Sequence, residues 1–250
     1  FGGGAGYLLM MFIIIYGNMV MRSVIEEKTN RIIEVIISSV KPFKLMMGKI
    51  MGTTLAGITQ FMIWLLIGGG LLTFLTLFLG LDANTPNAAM GGMATTDLDK
   101  IELILLDVLN LPLLKLACFF LIYFIGGYFL YSSIYAAIGA AVDSETDTQQ
   151  FMLPIIMPLM LAIYVGFFAV IENPDGSIAT IFSMIPLTSP IVMLMRIPFG
   201  VPWWQLALSV GILIATFIFT VWFGSKIYRV GILMYGKKPT YKEILKWIKY

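Results

Sequence analysis

Histidine is absent from this 250-residue chain, and cysteine occurs once, at Cys118. Without histidine, these residues hold no Ser-His-Asp or Cys-His nucleophile, no HExxH zinc motif and no imidazole proton relay. One thiol builds no intramolecular disulfide, cysteine zinc cluster or iron–sulfur site. Charge is also scarce. Only 12% of residues are charged, against about 25% in a soluble domain. The net charge of +2 gives no reason to expect a nucleic-acid partner.

What fills the chain instead is apolar: 59% of residues are hydrophobic. That composition points to a protein that crosses a membrane several times. A helix needs about 20 apolar residues to cross a hydrocarbon core of roughly 30 Å. Five stretches qualify, over about 5–21, 50–79, 114–142, 151–171 and 203–225. None alternates like a strand, and backbone groups in lipid must be satisfied internally, so each is expected to be helical. The chain opens at Phe1 inside an apolar run, and its first positive charge, Arg22, follows that run. This is the reverse of a signal peptide. It reads as a chain whose N-terminal part lies upstream.

Alternating the five spans places Arg22–Lys49, Asp143–Gln150 and Lys226–Tyr250 on one side. All but Lys100, Lys115 and Arg196 of the 16 basic residues fall in those segments. By the positive-inside rule this side is cytoplasmic. The C-terminal tail, 226–250, is then cytoplasmic as well. Lys115 lies close to the outer end of its span and can snorkel. On the outer side, 82–96 has linker composition, and 97–110 reads as a short amphipathic helix. The segment at about 177–200 is cut by Pro186 and Pro190 into pieces too short to cross. These read as two short re-entrant or mouth-packing helices, with Trp203 and Trp204 marking the outer interface of the last span.

One stretch stands apart. Over about 24–40, Ile25, Ile32, Ile33, Ile36, Ile37 and Val40 share one helical stripe, and Glu27, Arg31, Glu34 and Ser38 lie opposite. Glu27 and Arg31 form a favourable i,i+4 pair. Two readings fit: an amphipathic helix resting on the membrane, or a helix that docks on a protein. Interfacial helices usually carry a basic polar face, whereas Glu26, Glu27 and Glu34 are mixed here with Lys28 and Arg31.

Polar groups inside the spans are few. Tyr128, Tyr131 and Tyr135 stripe the third span, and Gln60 sits in the second. They either face a substrate path or bond between packed helices, and the packing reading is the simpler one. Pro154 and Pro158 fall early in the fourth span, and Pro158 removes a helical hydrogen bond. No ionisable residue sits firmly at mid-membrane, which disfavours a proton- or ion-coupled carrier.

The stretch EEKTNRIIEVIISSVKPFKLMMGKI resembles the cytoplasmic segment of type-2 ABC exporter permeases, especially the sodium-extrusion and drug-export branch. The matching positions are the acidic pair Glu26 and Glu27, the turn from Ser39 to Pro42, and Gly48 with Lys49. GAAVDSETDTQQ, over Gly139–Gln150, looks like that family's second cytoplasmic turn. PLTSPIVMLMR, over Pro186–Arg196, followed by PWWQ, looks like its outer hairpin. Against the family, a first span and an external domain are missing, in keeping with the truncated start.

The resemblance implies an all-α polytopic membrane protein with five transmembrane helices here and six in the full protein. It implies one transmembrane permease domain over 1–250, with a cytoplasmic coupling helix and short external re-entrant helices. The function implied is that of a permease subunit of an ATP-driven exporter, in a bacterial cytoplasmic membrane. The chain has no GxxxxGK[ST] loop, so ATP and Mg²⁺ would be bound by a separate ATPase subunit and the chain itself would not be an enzyme. The other partners expected are a second permease subunit, identical or not, and membrane lipid. Glu26, Glu27, Lys28, Arg31, Glu34, Asp143 and Glu145 would couple to the ATPase. The rival expectation is an ATP-independent channel or secondary carrier.

Overall fold

Helix α1 spans Gly2–Thr29, followed by the short α2 (Ile32–Ser39) and by α3 (Pro42–Leu79). The computed structural model describes residues 2–79 and 113–234, together with Glu243 and Trp247. The expected outer loop at 82–96 and helix at 97–110 lie outside the described residues. Helix α4 is Leu113–Ala141. A 3₁₀ turn at Glu145–Thr148 leads into α5 (Gln149–Val165), which ends in a π-helical turn, Gly166–Val170. Two short helices follow, α6 (Ser177–Met184) and α7 (Ser189–Arg196). The last long helix, α8, is Trp203–Gly231.

Five of these helices are long and apolar enough to cross a membrane. The described residues contain no strand. The protein is all-α and polytopic. The helices outrun the apolar stretches that define them in the sequence. Helix α3 has 38 residues, about 57 Å at 1.5 Å per residue, and so extends well past a hydrocarbon core of roughly 30 Å.

Helix α4 is the central post, flanked by α1 and α8. Lipid tails are as apolar as leucine, so helices in a membrane associate through close packing rather than through escape from water. Small residues provide that closeness. A Cβ added at Gly139 would lie 2.8 Å from the Met21 carbonyl oxygen, and one at Gly224 would lie 2.8 Å from that of Ser133. At Gly17 it would meet the Tyr135 ring at 2.5 Å. By contrast, α3 is the least enclosed span. Leu66, Leu71, Phe74, Leu77 and Phe78 are all exposed on its second half.

One end of the bundle collects the C-termini of α1, α4 and α8 and the start of α3, with most of the described basic residues. At the opposite end Lys115 Nζ lies 4.6 Å from the Trp203 ring centroid. Trp203 and Trp204 are exposed there.

The α6–α7 hairpin enters from the Trp203 end and goes deep. All eight residues of α7 are buried. The Tyr131 hydroxyl donates to the Leu187 carbonyl at the hairpin tip, at 2.7 Å. Tyr131 is twelve residues along α4 from Phe119, which meets Trp203, or roughly 18 Å by helical rise. The tip therefore reaches about the middle of the bilayer. Non-helical backbone at that depth is tolerated only when buried in protein. Here Thr188 Oγ1 donates to the Phe182 carbonyl at 2.6 Å, and Tyr131 covers that of Leu187.

Arg196 anchors the hairpin's outer root and is fully buried. Its Nε donates to the Pro174 carbonyl and its guanidinium to Ser183 Oγ, each at 2.7 Å. Asp175 lies 3.5 Å away.

Candidate functional site at the basic end of the bundle

The continuous helix expected over about 24–40 is two helices. Val24–Thr29 are the last turns of α1, and the chain breaks at Arg31, the one described non-glycine residue with positive φ, at 55°. Left-handed backbone is costly for a residue with a Cβ, so the surroundings must enforce it. Two buried side chains on either side do so. Lys28 is buried against α4 and Ile33 is buried in the core. A straight helix from 28 to 33 would be a rod, and these anchors need a corner. The expected Glu27–Arg31 pair is lost with the straight helix. Glu27 Oε1 instead meets Lys49 Nζ of α3 at 2.8 Å.

Lys28 is the keystone. Its ammonium donates to the Ala140 carbonyl at 2.8 Å and to that of Val142 at 3.1 Å. Those carbonyls belong to the end of α4, where the helix has no partners of its own for its last C=O groups. The same ammonium lies 3.0 Å from the Asp143 carboxylate. A cation at a helix C-terminus also meets the negative end of the helix dipole. One α1 side chain thus closes α4 and holds the acidic turn that follows it.

The turn is held at three further points. Arg22 Nη2 bonds Glu145 Oε2 at 2.8 Å. Thr29 Oγ1 donates to the Asp143 carbonyl at 3.4 Å. Within the turn, Ser144 Oγ donates to Asp147 Oδ2 at 2.7 Å. On the other flank Lys49 Nζ also bonds Ser23, its carbonyl at 3.0 Å and its hydroxyl at 2.6 Å. The two short connections at this end are therefore joined through α1.

Of the residues singled out for coupling, the structure brings Lys28, Asp143 and Glu145 to this junction, and Glu27 to Lys49. Glu26, Arg31 and Glu34 are exposed, beside Ile32 and Val35, which are 49% and 73% exposed. Arg22 and Ser23 were not singled out. The available signal was charge: Arg22 and Lys28 are assigned to the same side as Asp143 and Glu145.

The residues singled out for a substrate path lie elsewhere. Tyr128, Tyr131 and Tyr135 are fully buried. The Tyr128 hydroxyl bonds Thr53 of α3. Tyr131 serves the hairpin tip and borders an apolar cavity of about 340 Å³ between α4, α5 and α8. The Tyr135 hydroxyl has no hydrogen-bond partner among the described residues. Gln60 is exposed on α3 and accepts from the Tyr16 hydroxyl.

A bundle of five apolar spans with a deep hairpin at one face and a charged junction at the other is a multi-pass membrane protein. Residues 2–226 match the model of the ABC-2 family transporter proteins, and the chain belongs to that family. It is 30% identical over 239 residues to the uncharacterized protein YhaP of Bacillus subtilis, covering 95% of this chain and 52% of that one. To the uncharacterized protein MJ1024 of Methanocaldococcus jannaschii it is 27% identical over 246 residues, covering 98% and 53%. The chain thus spans about half the length of the curated relatives it matches. No solved structure matches it.

Proposed function

We propose that the chain is the membrane-spanning part of a permease subunit in an ATP-driven ABC exporter. A separate ATPase subunit, with ATP and Mg²⁺ bound, docks at the basic end, which faces the cytoplasm of a bacterial cell. The observation that carries this reading is the junction itself. The Lys28–Asp143 and Arg22–Glu145 contacts tie the acidic turn after α4 to α1, and the Lys49 contacts with Glu27 and Ser23 tie the start of α3 to the same helix, so a push on either connection reaches α1. Beside the junction, the end of α1, the corner and α2 leave Glu26, Arg31, Glu34 and two apolar side chains exposed. That mixed surface suits a protein partner better than an anionic lipid surface. Two such permease subunits, alike or different, enclose the path, and each contacts one ATPase.

The experiment is co-purification of the full-length permease with the ATPase encoded beside it. Wild type should retain the ATPase, and R31E/E34K should lose it while keeping its own thermal stability. Flux through liposomes without ATPase or nucleotide, or unchanged retention by the charge-reversed variant, would overturn the proposal.

A further inference from the structure

A cavity of about 800 Å³ opens between the start of α3 and the end of α8, with α4 behind it. It lies at the basic end but does not include the junction residues. Among the described residues that line it, Lys41, Lys226 and Arg229 are basic and none is acidic. Deeper in, the lining turns apolar, with Trp222, Phe129 and Phe217.

The order of these residues along α8 matters. Trp222, Lys226 and Arg229 are spaced at i, i+4 and i+7 and share one face. Lys226 Nζ sits 4.8 Å from the Trp222 ring centroid. Phe217 lies tilted against Phe129, ring centroids 5.7 Å apart, and both line the cavity. From Arg229 down to Phe217 is twelve residues, roughly 18 Å of helical rise. That is about the depth of one leaflet, since the whole hydrocarbon core is roughly 30 Å. A cationic rim above an aromatic shaft one leaflet deep matches an amphiphile with an anionic head and an apolar chain.

We propose that this cavity is a binding site for an anionic phospholipid, with its phosphate held by Lys41, Lys226 and Arg229 and an acyl chain along Trp222 and Phe217. Basic pockets between helices at the cytoplasmic boundary bind such head groups by charge and hydrogen bonding. A zwitterionic choline lipid would bring a cation to the same rim and gain less. Only the leaflet assignment rests on the orientation proposed above.

The test is native mass spectrometry of the delipidated full-length permease with equimolar phosphatidylglycerol and phosphatidylcholine, in the absence of ATPase and nucleotide. Wild type should retain one phosphatidylglycerol per chain in preference to phosphatidylcholine. Each basic residue near an anionic head group strengthens binding about fivefold, so K41Q/R229Q should weaken phosphatidylglycerol retention about 25-fold. K41R/R229K should keep it, which separates lost charge from lost folding. Inorganic phosphate in excess should not displace the lipid. Equal retention of the two lipids would overturn the proposal. So would wild-type retention by K41Q/R229Q, loss of retention in K41R/R229K, or displacement by phosphate. Lost ATPase co-purification with lipid retention intact would instead count against the transport reading alone.

Discussion

Replacing Lys28 with methionine keeps the length of the side chain and removes its ammonium. Two buried carbonyls, of Ala140 and Val142, then lose a charged donor at 2.8 and 3.1 Å. Hydrogen bonds to a charged group contribute about 1.5–3 kcal/mol each. The ion pair with Asp143 adds less, because that carboxylate is 33% exposed and exposed pairs contribute about 0–1 kcal/mol. Set against these losses is the desolvation that a buried ammonium no longer suffers. The expected net loss is about 3 kcal/mol. Asp143→Asn should cost about 1 kcal/mol or less, because the carbonyl bonds survive it. The double variant should then be no worse than Lys28→Met alone, since no carboxylate is left without its cation. The assay is equilibrium unfolding of the purified protein in mild detergent, followed by circular dichroism. If Lys28→Met cost under about 1 kcal/mol, or Asp143→Asn cost as much as Lys28→Met, the claim that Lys28 mainly closes α4 would be refuted.

Three further pairs of variants test packing and buried hydrogen bonds, each read by the same unfolding measurement. Gly139→Ala drives a Cβ to 2.8 Å from the Met21 carbonyl oxygen and should cost about 1–3 kcal/mol. Gly211→Ala, with nothing within 4 Å of its added Cβ, should be neutral or gain up to about 1 kcal/mol. Arg196→Met should destabilise by about 3 kcal/mol by stripping donors from Pro174 and Ser183. Asp175→Asn, on an 84% exposed carboxylate, should cost under about 1 kcal/mol. Tyr131→Phe should cost about 1–2 kcal/mol by leaving the Leu187 carbonyl uncovered at mid-membrane depth, whereas Tyr135→Phe removes a hydroxyl without a partner among the described residues and should be neutral or stabilising.

The five spans were legible because hydropathy is a summed signal that survives errors at single residues. The boundaries were less so. Lys44 and Lys49 end an apolar run but do not end a helix, since charged side chains outside the hydrocarbon are welcome on it. The corner at Arg31 could not be read from local sequence. No glycine or proline marks it, and only Asn30 is a residue found at such helix ends. Its cause is tertiary: Lys28 reaching α4 and Ile33 reaching the core. The charge types at the junction were visible, but not their pairing. Periodicity offered Arg31 to Glu27 and had no means of seeing Lys49 on the next helix. The tyrosine stripe was read correctly as a stripe. Its roles came from neighbours far along the chain, above all the hairpin tip that Tyr131 supports.

That hairpin has a consequence for how the protein is made. A chain entering the membrane span by span can release each long helix into lipid as it emerges, because such a helix satisfies its own backbone. The α6–α7 hairpin cannot be released that way. Its tip needs Tyr131, and α6 needs Ser209, whose hydroxyl donates to the Ser183 carbonyl at 2.9 Å. Ser209 belongs to α8, which is synthesised after the hairpin. The half-membrane segment must therefore be kept near water, or sheltered by the insertion machinery, until α8 arrives. Packing around the hairpin thus waits for α8, and a ribosome that stops short of it leaves behind spans already in the bilayer around a hairpin with nowhere to settle.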